Sequence, residues 1–203
     1  MIWTKVILRP AQTALLALLL LFGSAVSAQS VPELSVKDAA KRLANGGYIL
    51  MMRHSRTVPG TGDPPGFKLK KCDTQRNLSE AGRQQAIALG RAFAEANIPL
   101  AEVRHSQWCR CRDTAWLAFG KAIPVTDLKA LNSTFAGQGD PAAQQAALKE
   151  QAAALTTGTN VMWVTHQVIV SGATGLWTSQ GDVLATQLVD GEFVVRFRIP
   201  VSD

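Results

Sequence analysis

The 203-residue chain contains no internal repeat and no long low-complexity tract. Its hydrophobic fraction of 47% and charged fraction of 18% are ordinary for a globular protein. The length suits a single compact domain with its own core. The chain also lacks a basic run with interleaved aromatic residues, so we do not expect it to bind nucleic acid.

Long apolar runs are scarce, and the clearest one stands near the N-terminus. Lys5 and Arg9 precede an unbroken apolar run over 14–22, and small residues follow it. This is the layout of a secretory signal peptide, with cleavage expected between Ala28 and Gln29. The run is short for a bilayer span, which argues against the alternative of an uncleaved membrane anchor.

Two segments are therefore predicted, a signal peptide at 1–28 and one domain at 29–203. Loss of the leader lowers the formal net charge of +6 by two, which leaves a mildly basic domain. We expect the mature protein in the periplasm or outside the cell, with no membrane span after cleavage.

Cysteine is also scarce, with Cys72, Cys109 and Cys111 as its three occurrences. An exported domain permits disulfides, and an odd number leaves one thiol over. If 109–111 is extended, Cys109 and Cys111 point to opposite faces, so one of them could reach Cys72. We expect a disulfide from Cys72 to Cys109 or Cys111, with free thiols as the alternative. The spacing matches no common zinc site, and no metal is expected.

Apolar runs alternate with helical patterns along the domain. Strands are predicted at 48–52, 102–106, 123–126, 160–165, 183–189 and 192–199, and helices at 35–45, 78–97, 112–119, 141–155 and 168–176. This alternation predicts an α/β domain with a largely parallel central sheet. The Asp190-Gly191 pair predicts an antiparallel hairpin at the C-terminal end of the domain.

Ligands of such sheets bind beyond the carboxyl ends of the strands. The residues that follow the apolar strands are Arg53 and His54, the segment 106–110, and His166. A neutral imidazole can attack phosphorus and carry the phosphoryl group covalently. An arginine fork binds phosphate oxygens and keeps its charge. The strand ends therefore indicate phosphoryl transfer with His54 as the nucleophile and Arg53 on the phosphate.

Four motifs resemble, in order, those of the histidine phosphatase superfamily, which includes phosphoglycerate mutases and acid phosphatases. They are Arg53-His54, the helix start 78–86, the pattern Ser106-x-x-x-Arg110-x-x-x-Thr114-Ala115, and Val164-Thr165-His166. Given the predicted leader and the Trp-Cys-Arg-Cys segment at 108–111, the chain most resembles the exported bacterial branch. That branch includes lipopolysaccharide core heptose phosphate phosphatases.

The resemblance implies a three-layer α/β/α sandwich that needs no metal or other cofactor. His54 would be the phosphorylated nucleophile, with Arg53, Arg110 and His166 forming the phosphate pocket and Arg56 as a further contact. The substrate would be a phosphorylated small molecule or a phosphorylated component of the cell envelope.

The proton donor is the part of the pattern that is missing. Many members of the superfamily supply a Glu near the stretch 131–133, which has no carboxylate here, and Gln167 stands where acid phosphatases have an Asp. Either another group donates, with Asp63 in the long loop after His54 as the candidate, or the substrate has a good leaving group that needs no proton donor. A phosphomonoester phosphatase is the leading hypothesis, and the alternatives are a phosphohistidine phosphatase and a non-catalytic phospho-ligand binding protein.

Overall fold

The computed structural model describes Met1, residues 30–155 and residues 158–200. Apart from Met1, the predicted leader and its cleavage point lie outside the described residues. All elements described below belong to the compact unit Val31–Asp203. Within the described part of the chain, no helix is long and apolar enough to cross a membrane.

In the described part of the chain, six strands form one sheet in the order β3-β2-β4-β1-β5-β6. They are β1 Ile49–Arg53, β2 Glu102–His105, β3 Val125–Asp127, β4 Val161–Thr165, β5 Val183–Val189 and β6 Glu192–Ile199. Strands β1 to β4 are mutually parallel, while β5 runs antiparallel to both β1 and β6. The predicted mostly parallel sheet with a C-terminal hairpin is confirmed. Asp190 and Gly191 both adopt positive φ in the hairpin turn, as the Asp-Gly pair predicts.

Five α-helices of the described residues cover the sheet. They are α1 Val36–Leu43, α2 Glu80–Glu95, α3 Cys109–Phe119, α4 Pro141–Ala153 and α5 Gln167–Thr174. Ser35, Ser79 and Asp140 cap α1, α2 and α4 by accepting backbone N–H groups of the first turn. The prediction for α3 was three residues short, because Trp108 starts this helix without a side-chain cap.

The core lies on both faces of the sheet, because successive strand residues point in opposite directions. Leu50 and Met52 of β1 pack into a cluster that includes residues of α1, α2 and α3. Ile49 and Met51 pack into a second cluster with residues of α4 and α5. The expected three-layer α/β/α arrangement is confirmed. Strand β4 is buried at every position, as a strand covered on both sides must be.

Helix α2 approaches the segment after β1 unusually closely, and Gly82 makes this approach possible. A Cβ atom built on Gly82 would lie 1.8 Å from the carbonyl oxygen of Arg56. The same carbonyl accepts a 3.1 Å hydrogen bond from the backbone N–H of Ser79. The start of α2 is thereby fixed against the residues that follow His54.

A disulfide between Cys72 and Cys109 ties the long loop to the first residue of α3. The two Cα atoms are 5.6 Å apart. Cys111 is the remaining thiol, and it is buried. The predicted disulfide is therefore present, but the extended geometry assumed for 109–111 was wrong. Cys109 and Cys111 both lie in the first turn of the helix α3, so they do not point to opposite faces as they would in a strand.

Candidate active site

His54 and His166 come together because β1 and β4 are parallel neighbours. Arg53 pairs with Thr165 at the ends of these strands, so the next residue of each strand leaves the sheet at the same level. The two imidazole rings lie 5.6 Å apart between centroids, edge to face. The backbone N–H of His54 donates a 2.9 Å hydrogen bond to the carbonyl of Thr165. The predicted pair of strand-end histidines thus shares one edge of the sheet.

The imidazole of His54 is buried, neutral and held in one tautomer. Its Nδ1 atom lies 2.8 Å from the carbonyl oxygen of Ser55. A carbonyl can only accept, so Nδ1 carries the proton and Nε2 keeps its lone pair. Burial, followed by the positive charge of Arg110, lowers the pKa of His54 to about 3. An unprotonated Nε2 is the form that can attack phosphorus.

Three arginines, Arg53, Arg76 and Arg110, line the cavity into which His54 opens. Nη1 of Arg53 donates a 2.9 Å hydrogen bond to the carbonyl of Thr178. The Nε atoms of Arg53 and Arg110 are buried and have no hydrogen-bond partner within the described residues. Burying such a donor unpaired is costly, so these atoms are suited to an anionic ligand that accepts from them.

Arg76 was missed by the sequence reasoning, and Arg56 lies elsewhere. Arg56 lines a neighbouring depression with Arg198, outside the cavity of His54. Arg76 reaches the cavity because the long loop folds back on itself. Its Nε donates a 2.8 Å hydrogen bond to the carbonyl of Gly62, and its Nη1 donates to Oγ1 of Thr57. No local motif marks Arg76, so only the fold of the loop could have identified it.

Asp63 lies inside the cavity, bonded to three donors. Its carboxylate accepts hydrogen bonds from Nη1 of Arg110 (2.7 Å), Nε1 of Trp108 (2.9 Å) and the backbone N–H of Arg76 (2.9 Å). Burial by itself would raise the pKa of Asp63, but these hydrogen bonds and the charge of Arg110 outweigh burial and lower the pKa. Among the described residues, Asp63 is the one carboxylate in the lining of the cavity.

His166 is also buried and neutral, because burial and then the charge of Arg110 hold its pKa well below the usual value. Its Nδ1 lies 3.4 Å from Nη2 of Arg110, which can only donate. The proton therefore sits on Nε2, 2.8 Å from Oγ of Ser106. We expected His166 to donate toward a phosphoryl group. In this structure its single proton instead faces Ser106.

The stretch 131–133 takes a structural part in the site. Oδ1 of Asn132 accepts hydrogen bonds from Oγ of Ser106 (3.2 Å) and from the backbone N–H of Gln107 (2.8 Å). Asn132 thereby holds the serine that contacts His166. At the start of α3, the backbone N–H of Cys109 donates to Oε1 of Gln75 at 3.0 Å. Arg110 follows in the same turn, and it lines the cavity.

The cavity has a volume of about 790 Å³, which is in the range of pockets for whole organic ligands. His54, His166, Asp63 and the three arginines form its charged and titratable part. The described residues contain no group of three or more His, Cys, Asp or Glu side chains arranged to hold a metal ion. The arrangement is that of a phosphate-binding pocket built around a neutral imidazole at the carboxyl end of a parallel sheet.

Residues 49–140 match the family model of the histidine phosphatase superfamily, branch 1. The matched segment contains His54, Asp63, Arg76 and Arg110. Together with the fold, this match places residues 49–140 in the histidine phosphatase superfamily. The matched family and the structural neighbours are phosphatases, hydrolases that act on phosphomonoesters. No curated protein matches the chain in sequence.

Several solved structures share the fold. The protein histidine phosphatase SixA complexed with tungstate superposes with a TM-score of 0.55 at 13% identity, over 75% of this chain and 96% of that one. Mycobacterial glucosyl-3-phosphoglycerate phosphatase Rv2419c superposes with a TM-score of 0.54 at 15% identity, over 78% of this chain and 100% of that one. A phosphoserine phosphatase from Entamoeba histolytica, in complex with 3-phosphoglyceric acid, superposes with a TM-score of 0.55 at 11% identity, over 75% of this chain and 96% of that one. At these identities the likeness establishes the fold.

Proposed function

We propose that this protein is an exported phosphomonoester phosphatase that works through a phosphohistidine at Nε2 of His54. The observation that carries the proposal is the state of His54: its proton is held on Nδ1 by Ser55, so Nε2 is free to react. Arg53 and Arg110 supply buried Nε donors beside it that have no partner within the described residues. Such a site combines a nucleophile with charge stabilisation, which is what phosphoryl transfer requires.

The first step transfers the phosphoryl group to the enzyme. The lone pair on Nε2 of His54 forms the N–P bond while the P–O bond to the alcohol breaks. The departing oxygen keeps the electron pair of the broken bond and takes a proton from Asp63. Arg53, Arg76 and Arg110 neutralise the charge on the three non-bridging oxygens.

The second step returns the enzyme to its starting state. Water attacks phosphorus, the N–P bond breaks, and its electron pair returns to Nε2 of His54. Asp63, now ionised, accepts the proton of the attacking water, so inorganic phosphate leaves and the carboxyl group is protonated again. Every side chain that acts in the two steps belongs to this chain, and the substrate and one water molecule supply the other atoms.

Asp63 is assigned as the proton donor because its carboxylate touches Arg110, the arginine that we place on the phosphate. The bound dianion of the substrate brings negative charge close to this carboxylate. Like charges favour the neutral form of an acid, so substrate binding raises the pKa of Asp63 from its lowered value. Asp63 therefore becomes protonated in the complex with substrate, where the departing oxygen takes up a proton.

The test is the hydrolysis of phenyl phosphate by the mature domain, with phosphohistidine detected by mass spectrometry under non-acidic conditions. We expect His54→Ala to abolish both turnover and labelling. His105→Asn is the matched control, since His105 is a buried histidine outside the cavity lining. Equal turnover by the wild type and His54→Ala would overturn the proposal. Phosphate binding by both, without turnover by either, would favour a non-catalytic phospho-ligand binding protein.

A phosphohistidine phosphatase is the second candidate. The fold relative SixA is a protein histidine phosphatase, and the stretch 131–133 of this chain lacks a carboxylate. A phosphohistidine peptide and phenyl phosphate, supplied in competition, separate the two functions. We expect phenyl phosphate to be the better substrate, because Asp63 can protonate an alkoxide or phenoxide oxygen.

Export and a cell-envelope substrate are also part of the proposal. The leader pattern at 1–28 and the Cys72–Cys109 disulfide both favour an oxidising compartment. A phosphorylated heptose of the lipopolysaccharide core is the candidate from the branch that the chain resembles. Intact mass of the protein from a periplasmic fraction should correspond to a chain that begins at Gln29. A full-length chain confined to the cytoplasm would contradict export.

A further inference from the structure

The mouth of the cavity carries three exposed apolar side chains. They are Trp177, Phe135 and Val58, which are 73%, 47% and 44% exposed. All three line the same cavity as His54. Large apolar side chains exposed together beside a reactive centre mark a binding surface more often than chance exposure does.

Trp177 projects from a segment that is fixed to the phosphate pocket. The next residue, Thr178, is fully buried, and its carbonyl accepts the hydrogen bond from Arg53. The backbone N–H and the hydroxyl of Thr178 both donate to Oε1 of Gln167, which follows His166. The carbonyl of Trp177 accepts a 2.8 Å hydrogen bond from Arg198. The backbone that carries the indole is therefore held beside the phosphate pocket.

Phe135 also lines the cavity, where it contacts the loop that carries Asp63. Its Cε1 atom lies 3.3 Å from the position that a Cβ on Gly62 would take, so the phenyl ring packs over the backbone beside Asp63. Gly62 adopts φ of +71°, and its carbonyl is held by Nε of Arg76. The ring thus contacts the loop that carries the proposed proton donor, Asp63, and the proposed phosphate ligand Arg76.

The charges of the cavity are confined to the phosphate pocket. In the described lining, every ionisable side chain belongs to the set His54, His166, Asp63, Arg53, Arg76 and Arg110. The rest of the lining offers hydroxyl, amide and apolar groups. A phosphate fills a small part of about 790 Å³, so the remaining space is shaped for a bulky group without charge.

We infer that Trp177 and Phe135 bind the leaving group, and that the substrate is the phosphomonoester of a bulky, uncharged alcohol with an apolar face. This rests on the proposed function, in which the leaving group points out of the phosphate pocket. An aryl ring and the face of a sugar ring share the required chemistry. In the described lining of the cavity, the cations are the three arginines of the phosphate pocket, so a carboxylate on the leaving group has no further cation of this lining to pair with.

The experiment measures binding of unreactive phosphonates by calorimetry, so that it does not depend on turnover. The ligands are methylphosphonate, benzylphosphonate, a glucosyl phosphonate and 2-carboxyethylphosphonate. We expect the wild type to bind the benzyl or glucosyl ligand at least about tenfold more tightly than the methyl and carboxyethyl ligands. If benzylphosphonate binds more tightly than the glucosyl phosphonate, the surface prefers an aryl ring. The opposite order indicates that it prefers the face of a sugar ring.

Trp177→Ala and Phe135→Ala should remove most of this advantage and leave the affinity for methylphosphonate unchanged. Trp116→Ala is the matched control, because Trp116 is 52% exposed on α3 but does not line the cavity. Equal affinity of the wild type for all four ligands would overturn the inference, as would full retention of the advantage in the double variant Trp177→Ala/Phe135→Ala. Equal turnover by the wild type and His54→Ala would overturn the proposed function instead, whatever the affinities for the phosphonates are.

Discussion

The carboxylate of Asp63 accepts a 2.7 Å hydrogen bond from Nη1 of Arg110, and both side chains are almost fully buried. This contact gives one arginine of the phosphate pocket a partner that a substrate must share or displace. In the proposed mechanism, this carboxylate is ionised in the free protein and becomes an acid next to bound phosphate. In this mechanism, the Arg110–Asp63 ion pair couples the binding of phosphate to the protonation of Asp63.

Asp63→Asn should keep the shape of this contact and remove the proton. Positioned proton transfer contributes about 10² to 10⁴ in rate, and its contribution is greatest for poor leaving groups. We expect kcat for alkyl phosphates to fall by that factor and kcat for p-nitrophenyl phosphate to change little. The measurement is steady-state turnover of both substrates by wild type and variant. A similar loss on both substrates would show that Asp63 serves to position Arg110.

The pH dependence of kcat/KM gives a separate prediction for Asp63. Because the pKa of Asp63 is lowered in the free protein, the fraction that carries a proton falls as the pH rises above this pKa. For alkyl phosphates, kcat/KM of the wild type should therefore decline from acidic toward neutral pH. The decline should be absent in Asp63→Asn. A wild-type profile that rises over this range would contradict the assignment.

Arg76 and Arg56 allow a matched comparison of two arginines from the same loop. Arg76 lines the cavity, whereas Arg56 lines the neighbouring depression. Removing a charged hydrogen bond to phosphate costs about 1.5–3 kcal/mol, or roughly ten- to a hundredfold in affinity. We expect Arg76→Gln to raise the inhibition constant of inorganic phosphate by this factor and Arg56→Gln to leave it within about twofold. The reverse order would restore the assignment of Arg56 made from the sequence.

Buried histidines should make the protein less stable in mild acid. His54 and His166 both have lowered pKa values, so between their folded pKa and about 6.5 the unfolded chain binds protons that the folded chain does not. The free energy of unfolding should fall with decreasing pH, by about 1.4 kcal/mol per pH unit for each histidine. Asp63 adds nothing in this range, because its effect begins below the ordinary aspartate pKa.

Denaturant unfolding between about pH 7 and pH 5 measures this slope. His54→Asn should show a shallower slope, since one of the contributing imidazoles is gone. A stability that is independent of pH over this range would contradict the buried, neutral state of His54 and His166.

Reduction of the Cys72–Cys109 disulfide should destabilise the fold and loosen the site. The bond closes a loop with a sequence separation of 37, and bonds of this kind contribute about 2–4 kcal/mol. It also joins the loop of Asp63 and Arg76 to the helix of Arg110. We expect a lower melting temperature and weaker phosphate binding after reduction, or in Cys72→Ala/Cys109→Ala. Cys111→Ala removes the free thiol and serves as the control that should bind phosphate normally.

Much of the fold could be predicted from local patterns. The continuous apolar runs at 48–52 and 160–165 indicated strands covered on both faces, and the Asp190-Gly191 pair indicated the hairpin. Once these strands are parallel neighbours, geometry alone brings the residues after them to one edge of the sheet. His54 and His166 could therefore be paired in advance, whereas the start of α3 could not, because it lacks a side-chain cap.

The sequence by itself was enough to predict the strand ends and to propose His54 as the nucleophile with Arg53 beside it, because these follow from hydrophobic periodicity and from chemistry at adjacent positions. Only the tertiary structure decided which loop residues join them. Arg76 and Asp63 lie 22 and 9 positions beyond His54 in the numbering, and no periodic pattern connects them to it. They reach the pocket through hydrogen bonds within the folded loop and through the Cys72–Cys109 bond, which are contacts between residues far apart in the chain.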